Sequence, residues 1–321
     1  MTSTYLMTVI MLPLLVLMTA AGFRFLIPSE LKQQYRKISL RRFLIGFGPF
    51  FVCAFIIYML VQSQSSITNA LGISVNADYT GYLVMIEGDT VSHFQSFATP
   101  LLTYFNSFVY LMIFSFLMVF TFIILIYTRN MHALEEFTIA FILIYITAFP
   151  FYIFVPVTVT GHTLPNVSTL LYDLSPIIDQ GVRIVDPLLD NDFPSLHAAL
   201  SIMATLVVVF RTKLERYKVF SIVSTFAILF STLYLGIHWI TDLVAGALLA
   251  LVSYYIATRY RESIFETAHR TLAAFEERLG IMDSIFCTRC SKEIAVIPHS
   301  GNVECPGCGE KMEYGVLNDN E

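Results

Sequence analysis

Four side chains in the second half of the chain have types and spacing that could move a phosphoryl group. NDFPSLHAALS (residues 191–201) carries Ser195 and His197, and YLGIHWITDLVAG (residues 234–246) carries His238 and Asp242. If a helix has begun by His238, that histidine and Asp242, four residues on, share one face. The carboxylate can then accept one ring N–H, fixing the tautomer and leaving the other nitrogen free to attack. His197, from a different segment, is available as a general acid or base. Ser195 adds a hydroxyl donor, and the turn after Pro194 presents helix N-terminal N–H groups that suit an anion. Nucleophile, orienting carboxylate, proton donor and oxyanion donors together fit in-line attack on phosphorus.

The elements that must position them are read from composition. Of 321 residues 56% are hydrophobic and only 13% charged, against about 25% charged in soluble domains. That weighs against a large soluble enzyme and for an all-α, polytopic membrane helix bundle. Crossing the hydrocarbon layer takes about 20 apolar residues. Segments near 5–26, 42–62, 101–127, 133–155, 195–211, 219–237 and 240–258 qualify, giving about seven spans. The first has no basic residue ahead of it and reads as a span rather than a cleaved leader.

Basic residues set the expected orientation. Arg24, Lys32, Arg36, Lys37, Arg41 and Arg42 follow the first span, Arg129 the third, Arg211, Lys213, Arg216 and Lys218 the fifth, and Arg259 and Arg261 the seventh. Loop 63–100 has no Lys or Arg, and loop 156–194 has only Arg183. The N-terminus and these two loops are therefore expected outside, the C-terminal tail in the cytoplasm. His197 begins the fifth span, His238 ends the sixth and Asp242 begins the seventh, so all three fall at one depth on the outer side. Singly, each has a plain explanation, since a histidine at a span end is commonly an interfacial anchor. A charge at the membrane centre costs about 2.5–3.5 kcal/mol, and the convergence of scarce ionisable groups raises the chemical reading above the plain one. Glu87 and Asp89, with Asp78, read as a solvated acidic loop, and Trp239 as an interfacial aromatic anchor.

FPSLHAALS followed about 40 residues later by YLGIHWITDLVAG resembles the type 2 phosphatidic acid phosphatase superfamily, across about 133–258. The Phe-Pro-Ser-Leu-His-Ala form is most similar to its inositol phosphorylceramide synthase-like branch. The resemblance implies a six-helix core, a phosphohistidine formed on His238, orientation of that ring by Asp242, leaving-group protonation by His197 and phosphate binding by Ser195. It implies no metal or other cofactor for catalysis. Two features depart from the family. Thr232 stands where many members have an arginine six residues before the nucleophile, and no Lys-and-Arg-Pro motif precedes Ser195. Arg183 is the natural substitute for the missing phosphate-binding cations, with His162 a weaker one.

Residues 259–283 read as an amphipathic linker helix ending at Gly280, following a transmembrane domain over 1–258. Beyond it, Cys287, Cys290, Cys305 and Cys308 form two Cys-x-x-Cys knuckles. Their spacing matches a tetrahedral structural zinc site in a ribbon over 284–315, in a reducing compartment. The sequence thus predicts an integral membrane lipid-phosphate or polyprenyl diphosphate phosphatase. A lipid headgroup phosphotransferase and a non-enzymatic scaffold, whose ribbon binds a cytosolic protein partner, are the alternatives. Nothing points to nucleic acid.

Overall fold

The computed structural model describes residues 3–33, 40–70, 72, 79–184, 186 and 188–313. Arg36, Lys37, Asp78 and residues 314–315 lie outside the described residues. Seven apolar helices stand where the sequence predicts spans: α1 (Ser3–Phe25), α2 (Leu40–Gln62), α3 (Pro100–Tyr127), α4 (Met131–Phe154), α5 (Leu196–Arg211), α6 (Glu215–Tyr234) and α7 (Ile240–Leu279). Of these, α3, α4, α6 and α7 are long and apolar enough to cross a membrane. The 16-residue α5 rises about 24 Å. It starts short of a full span because Ser195 caps it where the candidate site begins.

By contacts the chain divides into two units, one of 1–35 and 54–257, the other of 36–53 and 258–321. In the first unit α5 is the hub, packed against α3, α4 and α6. Its buried side includes the small residues Ala198, Ala199, Ser201 and Ala204, which let backbones approach where no hydrophobic force drives helices together. A Cβ on Gly246 would lie 2.4 Å from the Ser195 carbonyl oxygen and 2.9 Å from the Ala198 Cβ. Only glycine admits that crossing of α5 and α7.

The serine and threonine side chains of α6 face inward. On α6, Val219, Val223 and Phe226 are exposed while Tyr217, Ser221, Ser224 and Thr225 are buried, the reverse of a soluble helix and the arrangement lipid selects. Thr205 Oγ1 and Thr225 Oγ1 lie 2.8 Å apart between α5 and α6, and Thr121 Oγ1 is 2.7 Å from Tyr217 Oη between α3 and α6. Each such bond contributes about 0.6–1.7 kcal/mol in a bilayer.

Loop 63–100 is more ordered than its sequence implies: it contains helices Gln64–Ala70 and Tyr79–Glu87 and a 3-10 turn at Thr90–Gln95. In the second unit, the residues read from sequence as an amphipathic linker helix are helical to Leu279, as the continuation of α7. The helix then ends at Gly280 (φ +66°), where the Ile281 N–H donates to the Glu276 carbonyl at 2.9 Å and the Gly280 N–H to that of Glu277 at 3.2 Å. These paired bonds are a Schellman stop.

Two antiparallel hairpins follow, β1 (Asp283–Phe286) with β2 (Glu293–Val296) and β3 (Asn302–Glu304) with β4 (Lys311–Glu313). One Cys-x-x-Cys turn joins each pair of strands. Glu276 on α7 fastens the hairpins, accepting the His299 backbone N–H at 3.1 Å and lying 2.7 Å from His299 Nδ1.

Candidate active site

The turn between α6 and α7 is where sequence and structure differ most usefully. His238 is not on α7, which begins at Ile240. Gly236, at φ +73°, turns the chain against the Ser168 carbonyl, which a Cβ there would approach to 2.4 Å. The Ile237 and His238 N–H groups then fold back onto the Thr232 carbonyl at 3.1 and 3.3 Å. The position expected to offer a cation is therefore a buried helix end.

Asp242, in the first turn of α7, reaches back so that its Oδ2 accepts the Trp239 N–H at 2.9 Å, half of a capping box. The same oxygen lies 3.4 Å from His238 Nδ1. The two residues meet through a cap rather than through one helical face.

Glu87 completes that cap. Its carboxylate oxygens accept the N–H groups of Ile240 at 2.9 Å and Thr241 at 2.6 Å, so it belongs to the scaffold of the site and is not a solvated loop residue. Trp239 also departs from expectation. It is fully buried and its Nε1–H donates to the Thr158 carbonyl at 3.0 Å, so it is a core residue fixing the turn and not an interfacial anchor.

Ser195 is buried as the N-cap of α5, its Oγ accepting the Ala198 N–H at 3.3 Å and its own N–H donating to the Asp242 carbonyl at 3.1 Å. His197 follows in the first turn. Its ring stacks on Tyr110 with centroids 4.3 Å apart, tilts against Phe114 at 4.5 Å, and faces His238 at 5.8 Å. Tyr110 reaches it from a π-helical turn, Val109–Ile113, that interrupts α3, the kind of local irregularity that re-aims a side chain. Four helices and two turns thus converge on one pair of histidine rings.

Sequence reasoning passed over Asp192, though it stands in NDFPSLH, three residues before Ser195. Its Oδ1 lies 3.6 Å from His238 Nδ1. Asp192 and His238 are 3% and 4% exposed and Asp242 is fully buried. Among the described residues Asp192 Oδ2, His238 Nδ1 and Asp242 Oδ1 have no hydrogen-bond partner. The segment before it is held tightly. Asp186 accepts the N–H groups of Asp190 and Asn191 at 3.2 and 3.1 Å, Asn191 pairs with Gln64 at 2.8 Å, and the Pro194 carbonyl accepts the Tyr152 hydroxyl at 2.9 Å. Burial, then repulsion from Asp242, Asp186 and Asp190, holds the Asp192 carboxyl well above the usual carboxylate range. Burial and Asp186 push Asp190 up to about 6. The signal that could have found Asp192 is a carboxylate placed directly before a span.

Arg183 ends the short helix Pro176–Val182, and its Nε donates to Asp179 at 2.9 Å. It borders Tyr172, which shares a buried cluster with Tyr110. His162 is exposed, its ring 6.2 Å from that of Tyr172. Both therefore border Tyr172, with the Arg183 Nε committed to the Asp179 carboxylate.

Among the described residues, two groups of side chains could hold a metal ion. Asp192, His238 and Asp242 are one; Cys287, Cys290, Cys305 and Cys308 are the other. Cys287 Sγ to Cys308 Sγ and Cys290 Sγ to Cys305 Sγ are each 3.6 Å, close to the separation of about 3.8 Å that tetrahedral thiolates take around zinc. Each knuckle turns an N–H onto its own first sulfur, Arg289 onto Cys287 and Gly307 onto Cys305, both at 3.4 Å. The four cysteines fit such an ion.

Long apolar helices support membrane integration, and two histidines and a carboxylate gather beside the ends of α5, α6 and α7. Residues 88–256, more than half of the chain, match the PAP2 superfamily, whose members are phosphatases and phosphotransferases, and the chain belongs to it. No curated protein and no solved structure matches the chain.

Proposed function

We propose that this protein is an integral membrane phosphatase acting on a lipid phosphate or polyprenyl diphosphate at the outer face of the membrane. The observation that carries the reading is the meeting of His197 and His238, ring centroids 5.8 Å apart, with the Asp242 carboxylate 3.4 Å from His238 Nδ1. In this reading His238 Nε2 attacks phosphorus in line while Nδ1 keeps its proton toward Asp242. The bond from phosphorus to the leaving oxygen breaks, and His197 supplies the proton that oxygen takes. Water then attacks the phosphohistidine, His197 accepts a proton from it, and the nitrogen–phosphorus bond breaks to release phosphate. Ser195, the N–H groups opening α5 and Arg183 stabilise the equatorial oxygens.

Three further parts belong to the same proposal. The N-terminus lies outside and the tail in the cytoplasm, as the basic loops require. The chain is organised as a transmembrane domain to 258, a helical linker over 259–283 and a zinc ribbon over 284–315. Cys287, Cys290, Cys305 and Cys308 hold one structural zinc ion, which supplies folding energy to hairpins too small to fold alone.

A panel of lipid phosphates and diphosphates, offered to the purified protein with and without an alcohol acceptor, tests the reaction, with His238→Ala as the blank. Phosphate release without acceptor supports the phosphatase. A phosphodiester formed only with acceptor makes it the headgroup transferase of the inositol phosphorylceramide synthase-like branch. Turnover that His238→Ala leaves intact ends both readings.

A further inference from the structure

Asp242 is not alone beside the nucleophile. Asp192 approaches the same ring nitrogen from the opposite segment, the loop between α4 and α5, at 3.6 Å against 3.4 Å for Asp242. Both separations exceed the 2.7–3.2 Å of an N–H···O bond. Nδ1 therefore stands between two carboxyl groups, bonded to neither, with an unpartnered oxygen on each. A slight tilt of the ring gives its proton to one or the other. As Nε2 bonds to phosphorus the ring gains positive charge, and both carboxyl groups are in position to close on the Nδ1–H at that moment.

We propose that Asp192 is a second positioning residue for His238, bracketing Nδ1–H together with Asp242 so that Nε2 is presented to phosphorus. The proposal rests on His238 being the nucleophile. The groups facing Asp192 are His238, Asp242, Asp186 and Asp190, with Tyr152, Tyr110 and Tyr172 nearby. A cation shared by Asp192, His238 and Asp242 is the competing use of the same atoms. Neutral imidazole has a single ring lone pair, however. A metal on Nδ1 would leave the proton on Nε2, and that nitrogen could not attack.

The test uses the purified full chain in detergent with two probes, orthovanadate, which takes up a bond from the ring nitrogen, and inorganic phosphate, which does not. Asp192→Asn keeps size and removes the carboxyl that can take up charge as the ring becomes positive; the account expects vanadate affinity to fall about tenfold, the scale of a lost charge-assisted hydrogen bond. Phosphate affinity should hold, because phosphate takes no bond from the ring and leaves no new charge on Nδ1–H for Asp192 to meet. Asp192→Glu retains the carboxyl and should recover part of the vanadate affinity, which also covers a poorly folding Asp192→Asn protein. Equal weakening of both probes, no change in either, or the loss of one bound metal ion per chain in Asp192→Asn would overturn the proposal. His238→Ala separates the two readings: if vanadate binding survives that change, the phosphohistidine mechanism itself fails. If it is lost there but unaltered in Asp192→Asn, only the role of Asp192 fails.

Discussion

At the scale of residues, the chemistry depends on a few atoms that have no freedom to be elsewhere. Ser195, His238 and Asp242 are buried, and His197 is clamped by two aromatic rings. His197→Gln keeps a polar side chain in that box but cannot deliver a proton at neutral pH. It should lower turnover about 10²–10⁴-fold, the usual worth of general acid catalysis. Steady-state rates on whichever lipid phosphate the panel identifies check this, and a loss of under threefold would remove His197 from the role. The two motifs carrying these residues were legible in sequence because ionisable groups are scarce in spans. Asp192, Glu87 and Tyr110 were not, because their partners come from distant segments. Glu87 sits 153 positions from the N–H it caps, and nothing local marks it. Trp239 was misread for a related reason: an aromatic at a span end looks like an anchor until its N–H is seen bonded inside the protein.

At the scale of elements, the site is held by helix ends. α5 starts under the Ser195 cap, and α7 starts under Asp242 and Glu87. Glu87→Ala leaves the Ile240 and Thr241 N–H groups without their acceptor and should cost about 1–2 kcal/mol. Thermal unfolding followed by tryptophan fluorescence would report it, since Trp239 is the one tryptophan and lies in the turn itself. An unchanged midpoint would mean the cap is dispensable.

The loop before α5 carries the opposite kind of term. Asp190 has its carboxyl pushed up to about 6 from 3.8, so folding favours its protonated form. Between those values the unfolded chain binds fewer protons than the native one, and stability falls as pH rises. Asp190→Asn escapes that loss. Its melting midpoint should match the parent below pH 4 and exceed it above pH 6, the difference opening between them, by an amount reduced because Asp190 is only half-buried. A difference that stays flat or closes with rising pH would contradict this. The places of the apolar helices were legible because apolar length is a strong signal, though only α3, α4, α6 and α7 are long and apolar enough to cross a membrane. The junction of α6 and α7 was not, since the period of four between His238 and Asp242 imitates a helix that the Gly236 turn does not allow.

At the scale of the whole molecule, a PAP2 superfamily region and a cysteine knuckle pair share one chain, and each makes its own prediction. Elemental analysis should find one zinc ion per chain in the parent and none in Cys305→Ser, whose hairpins should unfold. Lipid phosphate turnover should stay within about twofold, as expected for separate sites. Loss of all turnover on that change would favour a role for the ribbon in the reaction or in regulating it. Fold class and superfamily were readable from composition and two motifs. The substrate was not, because no local pattern encodes how the loops around the site pack. The central claim is that phosphorus passes through His238. Acid-labile, alkali-stable label from a phosphorus-32 lipid phosphate, trapped by rapid quench and mapped by peptide, tests it most directly. The account predicts label on the peptide containing His238 and none in His238→Ala. Full turnover with no such label, or label that persists in His238→Ala, would contradict it.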